Sequence, residues 1–291
     1  MSELRDSPGY VSLRHEMRVR SILEQRGWRA THGPYYTDFH ERVPRELDVS
    51  ATRVWTSKKD VRAHVTLLVE CKNFKKPAAQ LLAGQRNVRT RDRLYAHWFG
   101  LDDRSLRLAI REALEDAKFD VDEAMTRLES ILYPDGESIV TKLLADAPKA
   151  KYRASATREP DREDSGATWN AAQQVFAALN GTAEEMAGDE LEEFRDGLDE
   201  RAAAEDRIEH AATVLRMIAS DVYLFHPVIS IDAPLMLVSQ LGKLTNVPWC
   251  RVERARVLGA ERQWIDVVNA DAFEDYAATL TAWYERVFSA K

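Results

Sequence analysis

Two carboxylates and a lysine stand where a β-hairpin would gather them. Residues 45–55 (RELDVSATRVW) and 61–73 (VRAHVTLLVECKN) both alternate like strands, and a short polar link, TSKKD, joins them. Side chains two apart on a strand share a face, so Glu70 projects with Lys72 and Asp48 with Ser50, while Val69 and Cys71 turn to the other side. A hairpin centred on Lys59 sets Asp48 opposite Glu70, with a Cβ separation of about 5 Å. A slip of one residue would undo that alignment. Two acids held so close repel and raise one pKa, unless a divalent cation sits between them. Hard oxygen donors suit Mg²⁺, which takes one or two carboxylates and keeps several waters, one of which can attack a phosphodiester. The competing reading is a pair of amphipathic strands with surface charges, which requires Asp48, Glu70 and Lys72 to fall on one face by accident.

The elements around this hairpin read as follows. Residues 11–27 form a helix stopping at Gly27, and strands follow at 28–31, 47–55 and 64–72, an α then β, β, β opening. Residues 78–144 carry a helical pattern, and 149–167 read as a polar loop. A helix over 168–179 stops at Asn180-Gly181, and residues 184–209 form an acidic helical stretch with 12 acids against 3 arginines. Strands follow at 223–231, 235–239, 249–258 and 263–268. Asp271 and Glu274 then form a capping box for a last helix burying Tyr276, Leu280, Trp283 and Val287. The resulting organisation is an N-terminal part of a core (1–82), a helical insertion with its polar loop (83–167), and a C-terminal part of the same core (168–291).

The ELDV segment, with VECKN bringing its glutamate 22 positions after Asp48, resembles the PD-(D/E)XK nucleases of the restriction-endonuclease-like fold, especially Mrr-like restriction enzymes and archaeal Holliday-junction resolvases. The resemblance covers residues 11–76. It departs from the pattern in having Leu47 rather than proline before Asp48, and the absence of a Gln-x-x-x-Tyr motif separates it from the RecB-like branch. By this resemblance Asp48 and Glu70 hold the metal, the backbone carbonyl of Cys71 completes the site, and Lys72 orients or activates the attacking water. Such proteins often add an acid from the first helix, and Glu16 is the candidate: it lies within about 60° of Leu13, Val19 and Leu23 on the helix, so its charge needs a partner. The alternative for Glu16 is a salt bridge with Arg20 one turn on. Gln173, beside Trp169, Ala172 and Phe176, is the candidate polar residue from the later helix, with helix packing as its alternative. A lysine beside carboxylates keeps its proton, so Lys72 is expected to act by electrostatic stabilisation of the developing phosphorane charge.

Composition narrows the rest. With 45% hydrophobic and 31% charged residues over 291 positions, the chain can bury a core and is neither collagen-like nor wholly disordered. Its net charge of −7 conceals an asymmetry: residues 1–100 carry 19 Lys and Arg against 11 acids, while the remainder is acidic. Lys58, Lys59, Arg62, Lys75, Lys76, Arg86, Arg89, Arg91 and Arg93 could track phosphates, or form an ordinary solvated surface. Cys71 and Cys250 are expected to be two buried thiols, His15, His32, His40 and His64 lack zinc-ligand spacing, and no glycine-rich phosphate loop occurs. No apolar leader or membrane span is apparent, so a cytoplasmic location is expected.

Together these readings lead to an α/β, restriction-endonuclease-like mixed central sheet flanked by helices, with a helical insertion. The expected activity is Mg²⁺-dependent hydrolysis of DNA, with Mn²⁺ as a substitute and the choice between DNA and RNA left open by the sequence. Restriction or phage defence is the expected setting, with a homodimer and defence-system partner proteins as associations. The alternative is a non-catalytic nucleic-acid-binding or assembly module of a defence complex that retains the fold.

Overall fold

A computed structural model of the chain describes residues 7–38, 41–56, 62–73, 79–82, 96–97, 149–156, 170–179, 181–182, 221–238, 242–255 and 262–289. Helix α1 spans Pro8–Gln25. The Ser7 side chain accepts the Tyr10 N–H at its start, and Pro8, which has no N–H to leave unpaired, opens its first turn. Gly27 ends it in the left-handed region (φ 79°), where the Trp28 N–H turns back to the Leu23 carbonyl at 3.0 Å.

The strands are β1 (Arg29–His32), β2 (Tyr35–Thr37), β3 (Pro44–Glu46), β4 (Val49–Thr56), β5 (Arg62–Asn73), β6 (Ala79–Leu82), β7 (Ala96–His97), β8 (Lys149–Ala156), β9 (Asp221–Asp232), β10 (Leu235–Val238), β11 (Leu244–Val247), β12 (Trp249–Ala255) and β13 (Arg262–Asn269). Helix α2 covers 170–179, and α3 runs from Phe273–Ser289. One mixed sheet has the order β1, β4, β5, β9, β13, β12, β8, β6, β10, β11, with β7 also paired to β9, while β2 and β3 form a separate ribbon. β1, β4 and β5 are antiparallel neighbours, and β5, β9 and β13 run parallel.

β5 is interior on both faces, and its successive residues Val65 to Cys71 are all buried. That double burial accounts for the apolar run inside what first reads as an alternating strand. Its odd-numbered side chains Val65, Leu67 and Val69 pack with Val19 and Leu23 of α1 and with Phe273, Tyr276 and Trp283 of α3. On the other face Leu68 packs with Ala171, Ala172, Val175, Phe176 and Leu179 of α2, and with Ile229 and Ile231 of β9. The chain is therefore α/β, a central mixed sheet with helices on both faces.

On the α1/α3 side lies a buried charged network. Arg251 on β12 donates to both carboxylate oxygens of Asp266 on β13, at 2.6 and 2.7 Å. The same carboxylate accepts from Tyr276 of α3 at 2.8 Å and lies 2.7 Å from His226 Nε2 of β9. Although burial alone would raise it, Asp266 is held far below the usual carboxylate range by the Arg251 and His226 charges. The ionised form therefore persists, joining three strands and α3.

Several expectations are corrected. The 78–144 segment read as helical contains β6 and β7, and the 149–167 loop begins with strand β8, all three belonging to the main sheet. The rest of 83–148, residues 157–167, the acidic stretch 184–209 and the Val287 side chain lie outside the described residues. The last helix is not opened by an Asp271 cap. Asn269 caps a 3₁₀ turn over Ala270–Ala272, its side chain accepting the Asp271 N–H at 2.8 Å, and α3 follows. The expected stop at Asn180-Gly181 is not found, since Gly181 and Thr182 are themselves helical; a Cβ at Gly181 would lie 2.1 Å from the Thr37 carbonyl oxygen, so glycine lets this helical segment abut β2. No helix among the described residues is long and apolar enough to cross a membrane.

Candidate active site

The β4 and β5 hairpin adopts the register expected from its alternation, with Val49 opposite Val69 and Thr56 opposite Arg62. Asp48 precedes the last pair and therefore reaches the Glu70 end of β5. Its Oδ2 accepts the Cys71 N–H at 2.6 Å. The bond is strong because its acceptor is a partly desolvated carboxylate. The amide of Cys71 is thus tied to the acid, while its carbonyl is the group that the family resemblance makes a metal ligand. The Cys71 thiol is buried on the opposite face, and Cys250 is likewise a buried free thiol.

Glu70 is 2% exposed. Its Oε1 accepts from Lys72 Nζ at 2.5 Å, while its Oε2 is buried with no hydrogen-bond partner. Such an oxygen costs free energy unless something positive meets it. Burial first and the Asp48 charge second push the Glu70 carboxyl up to about 7, against the opposing pull of Lys72. Asp48 is raised too, by burial and by the Glu16 charge, with the Cys71 hydrogen bond opposing. The Asp48 charge thus makes ionisation of Glu70 harder, an electrostatic setting that a bound cation relieves.

Lys72 is about a quarter exposed, and its Nζ also donates to Gln174 Oε1 at 3.2 Å. Gln174 is therefore the α2 glutamine that bonds the hairpin's lysine. Gln173, expected in that role, is exposed. One residue is a 100° rotation on a helix, and the seating of Ala171, Ala172 and Val175 against the sheet decides which glutamine turns inward. Gln174 was legible only as a second polar residue beside the apolar face. Glu16 does not pair with Arg20, which bonds Glu24 one turn further on at 2.9 Å. Instead, Glu16 Oε2 lies 2.8 Å from His32 Nε2 on β1.

Among the described residues, no group of three or more His, Cys, Asp or Glu side chains is gathered closely enough to hold a metal ion. The donor chemistry at Asp48 and Glu70 nevertheless fits a hard divalent cation: two carboxylates, one with a buried oxygen lacking a partner. Water would supply most of the remaining shell, as Mg²⁺ favours. Of the basic stripe, only Arg62 falls among the described residues, at the start of β5. The site lies at the carboxyl end of β5, beside the ends of β9 and β13, the edge where open α/β sheets place their ligands. No family model, curated protein or solved structure matches the chain.

Proposed function

We propose that this chain is a divalent-metal-dependent nuclease of the PD-(D/E)XK type with a restriction-endonuclease-like core, hydrolysing phosphodiester bonds in DNA. The observation that carries the reading is the buried, unpartnered Oε2 of Glu70 beside Asp48, with Lys72 on the same face of the strand. The mixed sheet flanked by helices, with the hairpin inside it, supports the fold assignment. A bound Mg²⁺ or Mn²⁺ supplies Lewis acidity and a nucleophilic water. Asp48 and Glu70 would hold it. Lys72 stays close enough to Glu70 to share its face and exposed enough to meet a phosphate, so its ammonium opposes the charge that develops on the phosphoryl oxygens. Gln174 holds the lysine from the α2 side. Restriction or phage defence is the setting this chemistry suits.

One observation favours a non-catalytic, nucleic-acid-binding reading. Lys72 closes on Glu70 at 2.5 Å, so the pair neutralises itself without a metal. Incubating the purified chain with linear, circular, single-stranded and branched DNA, with Mg²⁺ and with excess chelator, decides between the two. The nuclease reading expects cleavage that needs metal and is lost in Glu70→Gln. Equal cleavage in chelator, or undiminished cleavage by that variant, removes the assignment from this site. Binding without cleavage on every substrate and metal selects the binding module.

A further inference from the structure

The sheet edge that carries Glu70 and Lys72 also holds a cavity two strands away. It measures about 370 Å³ and is lined by Pro234, Asn246, Val247, Pro248, Asn269 and Asp271. Its place follows from the strand register. β5, β9 and β13 run parallel, with Lys72 level with Ile231 and Ile231 level with Asn269. At about 4.8 Å between neighbouring strands, Asn269 stands roughly 10 Å from Lys72 along the same carboxyl edge. Val247 packs on the core that contains Leu68 and Ile231, which ties the cavity to the strands of the site.

One residue sets the shape of this cavity. Asn269 donates its Nδ2 to the Ala233 carbonyl at 2.7 Å and accepts the Asp271 N–H on its Oδ1 at 2.8 Å, and its own N–H donates to the Pro248 carbonyl at 2.9 Å. Three lining segments thus meet on Asn269, so the walls are fixed before anything enters. The lining then selects the occupant. None of the six residues is a cation, and the one charge is the Asp271 carboxylate, so a phosphate is repelled. Two prolines and a valine offer the apolar contact that such side chains make with base faces. Asparagine amides pair with adenine and carboxylates accept from base amino groups, which are the groups that Asn246 and Asp271 supply. Asp271 Oδ1 already accepts from Arg18 at 3.1 Å, but a carboxylate has about four acceptor positions, so others stay open. The volume is near the lower end of the roughly 300–1,000 Å³ of small-molecule sites, room for one base with water rather than for a duplex.

Resting on the nuclease reading above, we propose that this cavity is a base-binding subsite, which takes one unstacked nucleobase from the nucleic acid whose phosphodiester lies at Asp48, Glu70 and Lys72. Stacked nucleotides rise about 3.4 Å each, so roughly 10 Å corresponds to about three steps, and to fewer in an extended strand. The captured base therefore belongs to a nucleotide close to the scissile phosphate. A base inside a duplex has to be unpaired and unstacked before it can enter, so strands already single or splayed are the favoured substrates.

The test uses the full chain in Ca²⁺ and the fluorescence anisotropy of two labelled single-stranded oligodeoxynucleotides of equal length, one of mixed sequence and one abasic throughout. The parent is expected to bind the strand with bases about 5-fold or more tightly than the abasic strand. Asn246→Ala, and Asn246→Trp, which fills the cavity, should each lose most of that preference, while affinity for the abasic strand, set by its phosphates, stays within about 2-fold. Thr245→Ala, exposed on the same strand and outside the cavity, should keep the preference. Equal parent affinity for the two strands overturns the subsite, as does a parent-like preference in either Asn246 variant or a loss of preference in Thr245→Ala. Cleavage of the mixed strand in Mg²⁺ is measured in parallel. Metal-dependent cleavage with no preference for bases leaves the nuclease reading standing and removes the subsite. A preference lost in both Asn246 variants, with no cleavage by the parent in Mg²⁺ or Mn²⁺, keeps the subsite and removes the nuclease reading. A parent that binds neither strand overturns both.

Discussion

Replacing Glu70 by glutamine should make the metal-free protein more stable at pH 8 while abolishing its activity. In the folded chain the Glu70 carboxyl is raised from 4.5 to about 7, chiefly by burial. Between those values the unfolded chain has released the proton and the native chain still holds it, so stability falls as pH rises and levels off once pH passes the folded value. At about 1.36 kcal/mol per unit, the full penalty is about 3 kcal/mol. A glutamine at this position would carry no charge to desolvate and could still accept from Lys72, so the variant should regain most of this, less whatever the lysine loses by giving up an ionised partner. For a chain of this size that corresponds to a rise of about 5–10 °C in Tm. The assay is thermal unfolding of parent and Glu70→Gln at pH 4.5, 6 and 8 in chelator. The two should converge at the acid end and separate with rising pH. Excess Mg²⁺ at pH 8 should then raise the parent Tm and leave the variant unmoved, because only the parent retains the full site. A difference between parent and variant that is independent of pH, or a variant less stable at pH 8, would refute the claim that burial of an ionisable Glu70 governs this site.

Other outcomes follow from the same geometry. Lys72→Ala should lower single-turnover cleavage by about 10²-fold or more with little change in DNA affinity, whereas a binding module would show a modest affinity loss and a salt slope reduced by about one. Gln174→Ala should slow cleavage and Gln173→Ala should not, since only Gln174 touches Lys72; equal effects in parallel rate measurements would count against that contact. Ca²⁺ should permit substrate binding and support little cleavage, which gel-shift and cleavage assays on one substrate can compare. Asp266→Asn should cost about 3–5 kcal/mol in urea unfolding, because Arg251, 3% exposed, keeps a charge with no counter-charge; a loss under about 1 kcal/mol would contradict the network's role.

The parts of this protein determined by the sequence alone are those whose physics is local. Alternation with period two separates Glu70 and Lys72 from Val69 and Cys71, and a short polar link holds the hairpin to one register, so the meeting of Asp48 with Glu70 was legible before any fold was known. The same holds for the end of α1 at Gly27, where the left-handed turn is a property of glycine itself. Tertiary structure decided what depends on how elements dock. Arg20 lies one turn on from Glu16 along the helix, yet it bonds Glu24, and β1 brings His32 across to take its place. The inward turn of Gln174 rather than Gln173 is a 100° matter settled by how α2 seats its alanines on the sheet. β6 and β8 read as helix and loop because strands depend on neighbours distant in sequence, and β8 has its partners in β6 and β12. The Arg251, Asp266 and His226 network was hidden for the same reason: alternating strands show that polar residues occur, but only the pairing of β12 with β13 places opposite charges face to face, where burial makes their attraction strong.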